Sequence, residues 1–251
     1  MSRSNGAAPA EGKLGVLLPG MGAVATTFIA GVEAVRRGKA EPIGSLTQLA
    51  HIRLGKRTED RNPLIREFVP LAGLDDIVFG GWDPIPDNAY DSAINAAVLD
   101  RHEHIEPHRE FLEGIVPMPA AFDRKYVRRL DGTNVKTGAT KRELADQLRA
   151  DIRDFKERNG CTRLVLVWCG SPEGFLQRGP AHETIEAFEA AMEANDETIA
   201  PSMLYAYAAI MEGVPYANGA PNLSVDFPAM LELARREGVP VAGKDFKTGQ
   251  T

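Results

Sequence analysis

Cysteine is scarce in this sequence, and long apolar runs are absent. The 251 residues include two cysteines, Cys161 and Cys169, which are too few for a disulfide framework and predict a reducing, cytoplasmic location. No stretch has the length of a membrane span, and the polar start, MSRSNGAAPAEGK, lacks the apolar centre of a signal peptide. We therefore predict no membrane partner, and a disordered segment over residues 1–12.

Positive charge is also not in excess. Lysine and arginine number 29 against 35 aspartates and glutamates, for a net charge of −6. A general binder of nucleic acid or of anionic membranes favours a basic face. The balance predicts no nucleic-acid partner, although it leaves room for a local basic pocket that holds a phosphorylated metabolite.

The sequence does contain an alternation of short apolar runs with helical periodicity. The runs KLGVLLPG (13–20), DDIVFGGWD (75–83) and RLVLVWCGS (163–171) predict buried strands. Between and after them, apolar residues recur on single helical faces: Phe28, Ile29, Val32 and Val35; Leu144, Leu148, Ile152 and Phe155; Ile185, Phe188 and Met192. The alternation predicts an α/β fold with a mostly parallel sheet. Residues 51–73, charged and interrupted by proline, predict a long excursion from that sheet.

A glycine turn follows the first predicted strand. Gly20 and Gly22 match the first two positions of the G-x-G-x-x-G pattern, and Ala25 stands at the third. Such a turn brings backbone N–H groups and a helix N-terminus close to a pyrophosphate. The alternative is a structural turn without a cofactor. The acidic residue expected about twenty positions further on has one candidate, Glu41, which precedes the second strand instead of ending it.

Two other predicted strands end in small and acidic residues, GGWD at 80–83 and CGSPEG at 169–174. Ligands collect beyond the carboxyl ends of strands in open parallel sheets, so these ends favour a shared site. Ordinary loop composition after buried strands is the alternative.

Two longer motifs near the end of the sequence indicate a family. PSMLYAYAAIMEGVPYANGAPN (201–222) and GVPVAGKDFKTGQT (238–251) resemble the inositol-phosphate synthases, which have EGVPY-x-NGSPQN and GDDFKSGQT segments. The resemblance spans nearly the whole chain after residue 12. It implies a Rossmann-type NAD-binding domain over residues 13–200 and the beginning of a catalytic and oligomerisation domain over 201–251.

The resemblance also implies an activity. Members convert glucose 6-phosphate to myo-inositol 3-phosphate (1-phosphate in the other naming) with bound NAD, and they form homotetramers. The sugar is oxidised at C5, C6 then adds to the C1 aldehyde, and the ring ketone is reduced. Because NAD returns to its starting state, the net reaction is an isomerisation.

Site residues follow from the matching positions. Those expected at the cofactor are Gly20, Met21, Gly22, Ala23, Asp83, Cys169, Gly170, Ser171, Gly219, Ala220, Asp245 and Thr248. Asp245 and Lys247 are expected to take part in catalysis. No metal site is expected: the group His102, His104 and His108 is interpreted as a solvated surface.

The sequence departs from the family pattern at three places. Ala23 and Val24 replace asparagines of the glycine turn, which leaves more of the phosphate binding to the backbone. Lys244 replaces an acidic residue beside Asp245. The sequence also ends at Thr251, before the family's lysine-bearing segments, so we expect a truncated member that is inactive alone. An NAD-binding sensor and another Rossmann oxidoreductase remain the alternatives.

Overall fold

The fold is a six-stranded sheet in a computed structural model that describes residues 10–246. All strand pairs are parallel and the order is β3-β2-β1-β4-β5-β6. This is the order of a doubly wound dinucleotide-binding sheet, so the predicted α/β class is confirmed. The strands are β1 Lys13–Pro19, β2 Ile77–Asp83, β3 Met118–Pro119, β4 Cys161–Trp168, β5 Tyr216–Asn218 and β6 Val241–Ala242.

Helices cover both faces of the sheet. The α-helices in residues 10–246 are α1 Ala23–Arg36, α2 Leu46–Leu49, α3 Ile65–Phe68, α4 Ala89–Ala96, α5 Arg109–Glu113, α6 Lys141–Asn159, α7 Ile185–Glu193, α8 Pro201–Met211 and α9 Pro228–Glu237. One core lies between the sheet and α1, α4 and α5, and the other lies between the sheet and α6 to α9. Because side chains alternate along a strand, Leu17 of β1 enters the second core while Val16 and Leu18 enter the first. None of the helices in this part of the chain is long and apolar enough to cross a membrane.

The predicted helical faces agree with the structure, with one adjustment. Leu148, Ile152 and Phe155 are buried in α6, and the predicted residues of α7 are buried as well. In α1 the buried face includes Ile29, but Phe28 is 42% exposed and meets the Phe79 ring edge-on. The buried stripe of α1 is therefore rotated relative to the predicted one.

The excursion predicted for residues 51–73 is present and longer than expected. Residues 37–76, which include α2 and α3, lie between α1 and β2 and add no strand to the sheet. The Arg36 guanidinium ties the end of this excursion to α1, because it donates to the carbonyl oxygens of Leu74 and Ile77. The excursion separates the first two strands widely in sequence without separating them in the sheet.

The domain boundary predicted at residue 200 falls inside this sheet. Strands β5 and β6 continue it beyond β4, and α8 packs against α6. The described residues after 200 therefore extend the sheet begun by residues 13–200. The disordered segment predicted for residues 1–12 lies mostly outside the described residues, and β1 begins directly after it at Lys13.

Candidate functional site

The glycine turn after β1 is held in a conformation that only glycine accepts easily. Gly20 has φ +85°, and its N–H donates to the Trp82 carbonyl oxygen at 2.8 Å. A Cβ on Gly20 would lie 2.2 Å from the Gly170 Cα, so the β1 and β4 turns touch through their backbones. This packing directs the chain across the top of the sheet into α1.

The N-terminus of α1 has no side-chain cap. Gly22 is its N-cap residue, and the first turn contains no acidic side chain. In contrast, Asn88 and Thr140 cap α4 and α6 with side-chain oxygens. A Cβ on Gly22 would have no atom within 4 Å apart from its own chain neighbours, because the residue faces open space. Uncapped N–H groups and the helix dipole at an open surface form an anion-binding site.

A cavity of about 670 Å³ opens at this helix end, beyond the carboxyl ends of the strands. The structure brings ten of the predicted site residues together in its wall: Gly20, Gly22, Ala23, Asp83, Cys169, Gly170, Ser171, Gly219, Ala220 and Asp245. Met21 is different, because its side chain is buried in the core beside α1. Lys247 and Thr248 lie outside the described residues.

Asp83 is the acidic residue at the end of the second strand. One carboxylate oxygen accepts from the Met21 N–H at 2.7 Å and the other from the Ile85 N–H at 2.9 Å. Burial is the main reason why the pKa of Asp83 is raised, against the lowering effect of these two bonds. Glu41, the weaker sequence candidate, is exposed and belongs to no strand. Asp83 thus occupies the position that the dinucleotide pattern assigns to the ribose-binding acid.

We predict that Asp83→Asn weakens NAD binding about tenfold and lowers the free energy of unfolding by about 1–2 kcal/mol. An amide has one acceptor oxygen, so its NH₂ group must face the N–H of Met21 or of Ile85. Calorimetric titration and chemical denaturation measure the two effects. The matched control is Asp75→Asn, an exposed residue before β2. Equal behaviour of the two variants would contradict the role of Asp83.

The cavity floor is aromatic. Tyr205 lies between Trp82 and Trp168, with ring centroids at 5.3 and 5.4 Å in edge-to-face arrangements. Its hydroxyl accepts from the Ala121 N–H at 3.0 Å. Tyr205 belongs to α8, whose residues 201–210 are all buried. It also reaches the cavity, and no local pattern predicts this dual position.

Glu173 is a cavity residue that was not predicted individually, although it belongs to the CGSPEG stretch. Its carboxylate accepts from the Ser202 N–H at 2.8 Å and from the Ser202 hydroxyl at 2.5 Å. Its own N–H donates to the Asn222 side-chain oxygen at 2.9 Å. Glu173 thereby joins the loop after β4 to the N-terminus of α8 and to the loop after β5. The available signal was its place within CGSPEG, the stretch that follows the buried strand β4.

Burial raises the pKa of Glu173 to about 7, although the bonds from Ser202 oppose the rise. A carboxyl whose folded-state pKa is raised binds its proton more tightly in the native state. Its contribution to stability is therefore present below the unfolded pKa and is lost as the pH rises towards 7.

Glu173→Gln resembles the protonated acid. We predict that the difference in the free energy of unfolding between this variant and the parent chain shifts in favour of the variant by about 2–3 kcal/mol from pH 5 to pH 8. Denaturant titrations of both chains at the two pH values measure the difference. Glu186→Gln, at an exposed position of α7, is the matched control for the same chemical change. A difference for Glu173→Gln that varies with pH no more than that of Glu186→Gln would contradict the raised pKa.

The last described residues fold back over the ends of β4 and β5. The Asp245 N–H donates to the Ala220 carbonyl oxygen at 3.1 Å, and the Phe246 N–H donates to that of Gly219 at 3.2 Å. Asp245 adopts φ +66°, which is uncommon for a residue with a side chain. Lys244, noted in the sequence as a cation beside Asp245, pairs with Asp226 at 3.0 Å.

Burial also changes the ionisation of the two cysteines and of one histidine. It raises the pKa of the Cys161 thiol, and that of Cys169 to about 12, which disfavours thiolate chemistry. The solvated-surface interpretation is wrong for His108, which is buried under α1 with its Nδ1 unpartnered, and burial lowers its pKa. No cluster of three potential metal ligands occurs within residues 10–246.

Comparison with known proteins identifies the family. The family model described as myo-inositol-1-phosphate synthase, an NAD-binding domain, matches residues 14–248. The chain belongs to the myo-inositol-1-phosphate synthase family. Inositol-3-phosphate synthase 1 of Bacteroides thetaiotaomicron is 52% identical over 97% of this chain and 56% of its own length. Inositol-3-phosphate synthase of Brassica napus is 35% identical over 95% of this chain and 49% of its own.

Solved structures show the same fold. An inositol-3-phosphate synthase from Caenorhabditis elegans superposes with a TM-score of 0.87 at 29% identity, over 97% of this chain and 50% of that one. A myo-inositol-1-phosphate synthase-related protein from Thermotoga maritima gives 0.62 at 23% identity, over 95% of this chain and 56% of that one, which supports the fold alone. The chain thus spans about half the length of the family members it matches.

NAD is the cofactor of this family, and the described cavity fits it. The wall contains three carboxylates, those of Asp83, Glu173 and Asp245, and none of its residues within 10–246 is a lysine, arginine or histidine. A pyrophosphate bound by these residues alone depends on backbone N–H groups, which the uncapped α1 offers. This agrees with the expectation that phosphate binding depends more on the backbone in this chain, because Ala23 and Val24 stand where the family has asparagines.

Proposed function

We propose that this chain binds NAD with the pyrophosphate at the N-terminus of α1 and the two nucleoside halves on either side of it. The observation on which the proposal rests is the open, uncapped glycine turn at the mouth of the cavity. Asp83 lies on the β2 side and accepts from ribose hydroxyls. Cys169, Gly170, Ser171, Gly219 and Ala220 form the nicotinamide side.

The proposal extends to Met21, Asp245 and the residues near the end of the chain. Met21 contributes through its backbone, because its side chain anchors the turn in the core. Its N–H already donates to Asp83, which fixes the turn. Asp245 lies in the cavity wall, where a carboxylate accepts from hydroxyl groups of a ligand. Lys247 and Thr248 are proposed from the family motif alone.

We further propose that the whole protein is an inositol-3-phosphate synthase that converts glucose 6-phosphate to myo-inositol 3-phosphate. When bound, NAD supplies the acceptor and then the donor of the hydride. The described residues bind and orient the cofactor, and the aromatic floor of Trp82, Tyr205 and Trp168 excludes water from its reacting side. The support for this activity is the shared family and the 52% identity to a bacterial synthase.

The activity is tested on the whole protein with glucose 6-phosphate and NAD. We expect an inositol phosphate to form without net production of NADH, because the hydride is returned to the sugar ring. Phosphorus NMR identifies the product, and absorbance at the wavelength of NADH follows the cofactor. Tight NAD binding with no product would contradict the synthase proposal and favour the NAD sensor. Net accumulation of NADH would favour another oxidoreductase.

We also propose an oligomeric state and a cellular location for the whole protein. A homotetramer is expected for the family fold. We propose that another subunit covers the excursion, which exposes Ile43 by 83% and Leu46 by 76%. Both cysteines are free thiols, in keeping with the cytoplasmic location predicted from the sequence.

A further inference from the structure

Among the three carboxylates of the cavity wall, that of Glu173 is the one whose two oxygens are both held by Ser202. It lies beyond β4, across the glycine turn from Asp83 at the end of β2. In doubly wound sheets the dinucleotide spans the two halves of the sheet, with its adenosine ribose at the acid after the second strand. The nicotinamide half therefore lies on the β4 side, which is the side of Glu173.

We propose that the ionised carboxylate of Glu173 makes the cavity prefer oxidised NAD over reduced NADH, and that binding of the oxidised form expels the Glu173 proton. The inference rests on the proposed binding of NAD in this cavity. The nicotinamide ring is positively charged in NAD⁺ and neutral in NADH, whereas the pyrophosphate is the same in both. A comparison of the two forms thus isolates the interaction of the ring with the charges of the wall.

The lining makes this interaction strong. The described wall combines three carboxylates with mostly apolar side chains, so a charge on the ring is poorly screened by water. Both oxygens of Glu173 are fixed by Ser202, and its loop is fixed by Asn222. The carboxylate is therefore held at the wall and cannot turn away into solvent when the ring changes its charge.

The charged and titratable groups around Glu173 allow its carboxyl to gain and lose a proton. Lys141, at the start of α6, favours the ionised form of Glu173 by its charge. Tyr126, Tyr205 and Tyr216 interact with the Glu173 charge from the loop after β3, from α8 and from β5, and burial raises the pKa of each, so they stay neutral at pH 7. Burial raises the pKa of Glu173 itself to about 7. Attraction to a cationic ring favours the ionised form, which lowers this pKa in the complex and releases a proton.

Titration calorimetry of the 251-residue chain with NAD⁺ and with NADH tests the inference. In the parent chain, the ratio of the NADH to the NAD⁺ dissociation constant should rise roughly fivefold or more from pH 6 to pH 8. At pH 6.5, titrations in two buffers of different ionisation enthalpy should show proton release with NAD⁺ and none with NADH.

Two variants sharpen the test. Glu173→Gln should bind both forms with a ratio that does not change with pH, and should release no proton. Ser202→Ala removes one donor to the carboxylate and should move the midpoint of the change to higher pH. A ratio that is flat in the parent chain, or that still depends on pH in Glu173→Gln, would overturn the inference while NAD binding stands. Failure of both NAD⁺ and NADH to bind would overturn the proposed cofactor site as well.

Discussion

Gly20→Ala is expected to lower the free energy of unfolding by about 3 kcal/mol or more. Two costs combine at this position. The residue has φ +85°, a left-handed conformation that costs an alanine about 1–2 kcal/mol. The new Cβ would also lie 2.2 Å from the Gly170 Cα and 2.4 Å from its nitrogen. Because both neighbours are backbone atoms, relief requires the β1 and β4 turns to move apart.

Chemical denaturation of the two chains measures the loss. The control is Gly22→Ala, two residues further on, where a Cβ has no protein atom within 4 Å and φ is −83°. Alanine is a poorer N-cap than glycine, so we expect this control to lose at most about 1 kcal/mol. A loss as small in Gly20→Ala as in Gly22→Ala would show that the β4 turn can yield and that the contact does not fix the site.

Gly22→Ala is expected to weaken NAD binding about 30-fold, which corresponds to about 2 kcal/mol, even though the fold is retained. The open space at Gly22 belongs to the cavity, so the added methyl group projects where the proposed pyrophosphate approaches the N-terminus of α1. A phosphate oxygen held further from the N–H groups loses both the hydrogen bonds and the nearest part of the helix dipole. The effect should fall mainly on affinity, because the expected loss of stability is at most about 1 kcal/mol.

A glycine on the same helix gives the matched control. Gly31 is exposed in the middle of α1, and a Cβ there meets nothing within 4 Å. Gly31→Ala should leave NAD affinity unchanged and stabilise the chain by about 0.5–1 kcal/mol, because alanine is the better helix former. If Gly22→Ala binds NAD as tightly as Gly31→Ala does, the pyrophosphate does not lie at this helix end. The conclusion would then be that the glycine turn is structural, the alternative that the sequence left open.

Much of the fold was predictable because it is locally encoded. Apolar runs located β1, β2 and β4, and apolar faces with helical spacing located α6 and α7. The glycine pattern located the turn at Gly20 and Gly22. The site was predictable in part for a topological reason: parallel strands bring their carboxyl ends to one edge, so GGWD and CGSPEG had to meet.

The acidic partner of the turn shows where local spacing fails. The usual interval predicts an acid near residue 41, but Asp83 lies 62 positions after Met21, the residue whose N–H it accepts. Residues 37–76 are inserted between α1 and β2, and the insertion changes the interval in sequence but not the pairing of β1 with β2. Asp83 was predicted instead from the GWD motif of the family, which does not depend on the distance in sequence from the glycine turn.

The sequence by itself determined the class of fold, the strands β1, β2 and β4, the helices α1, α6 and α7, the glycine turn, and the family, because each is written in a short contiguous stretch. Only the tertiary structure decided that residues after 200 extend the same sheet, that Lys244 pairs with Asp226, and that Glu173 is held by Ser202. Those outcomes depend on which surfaces pack together. Packing joins residues that are distant in the chain, and burial then sets their charge.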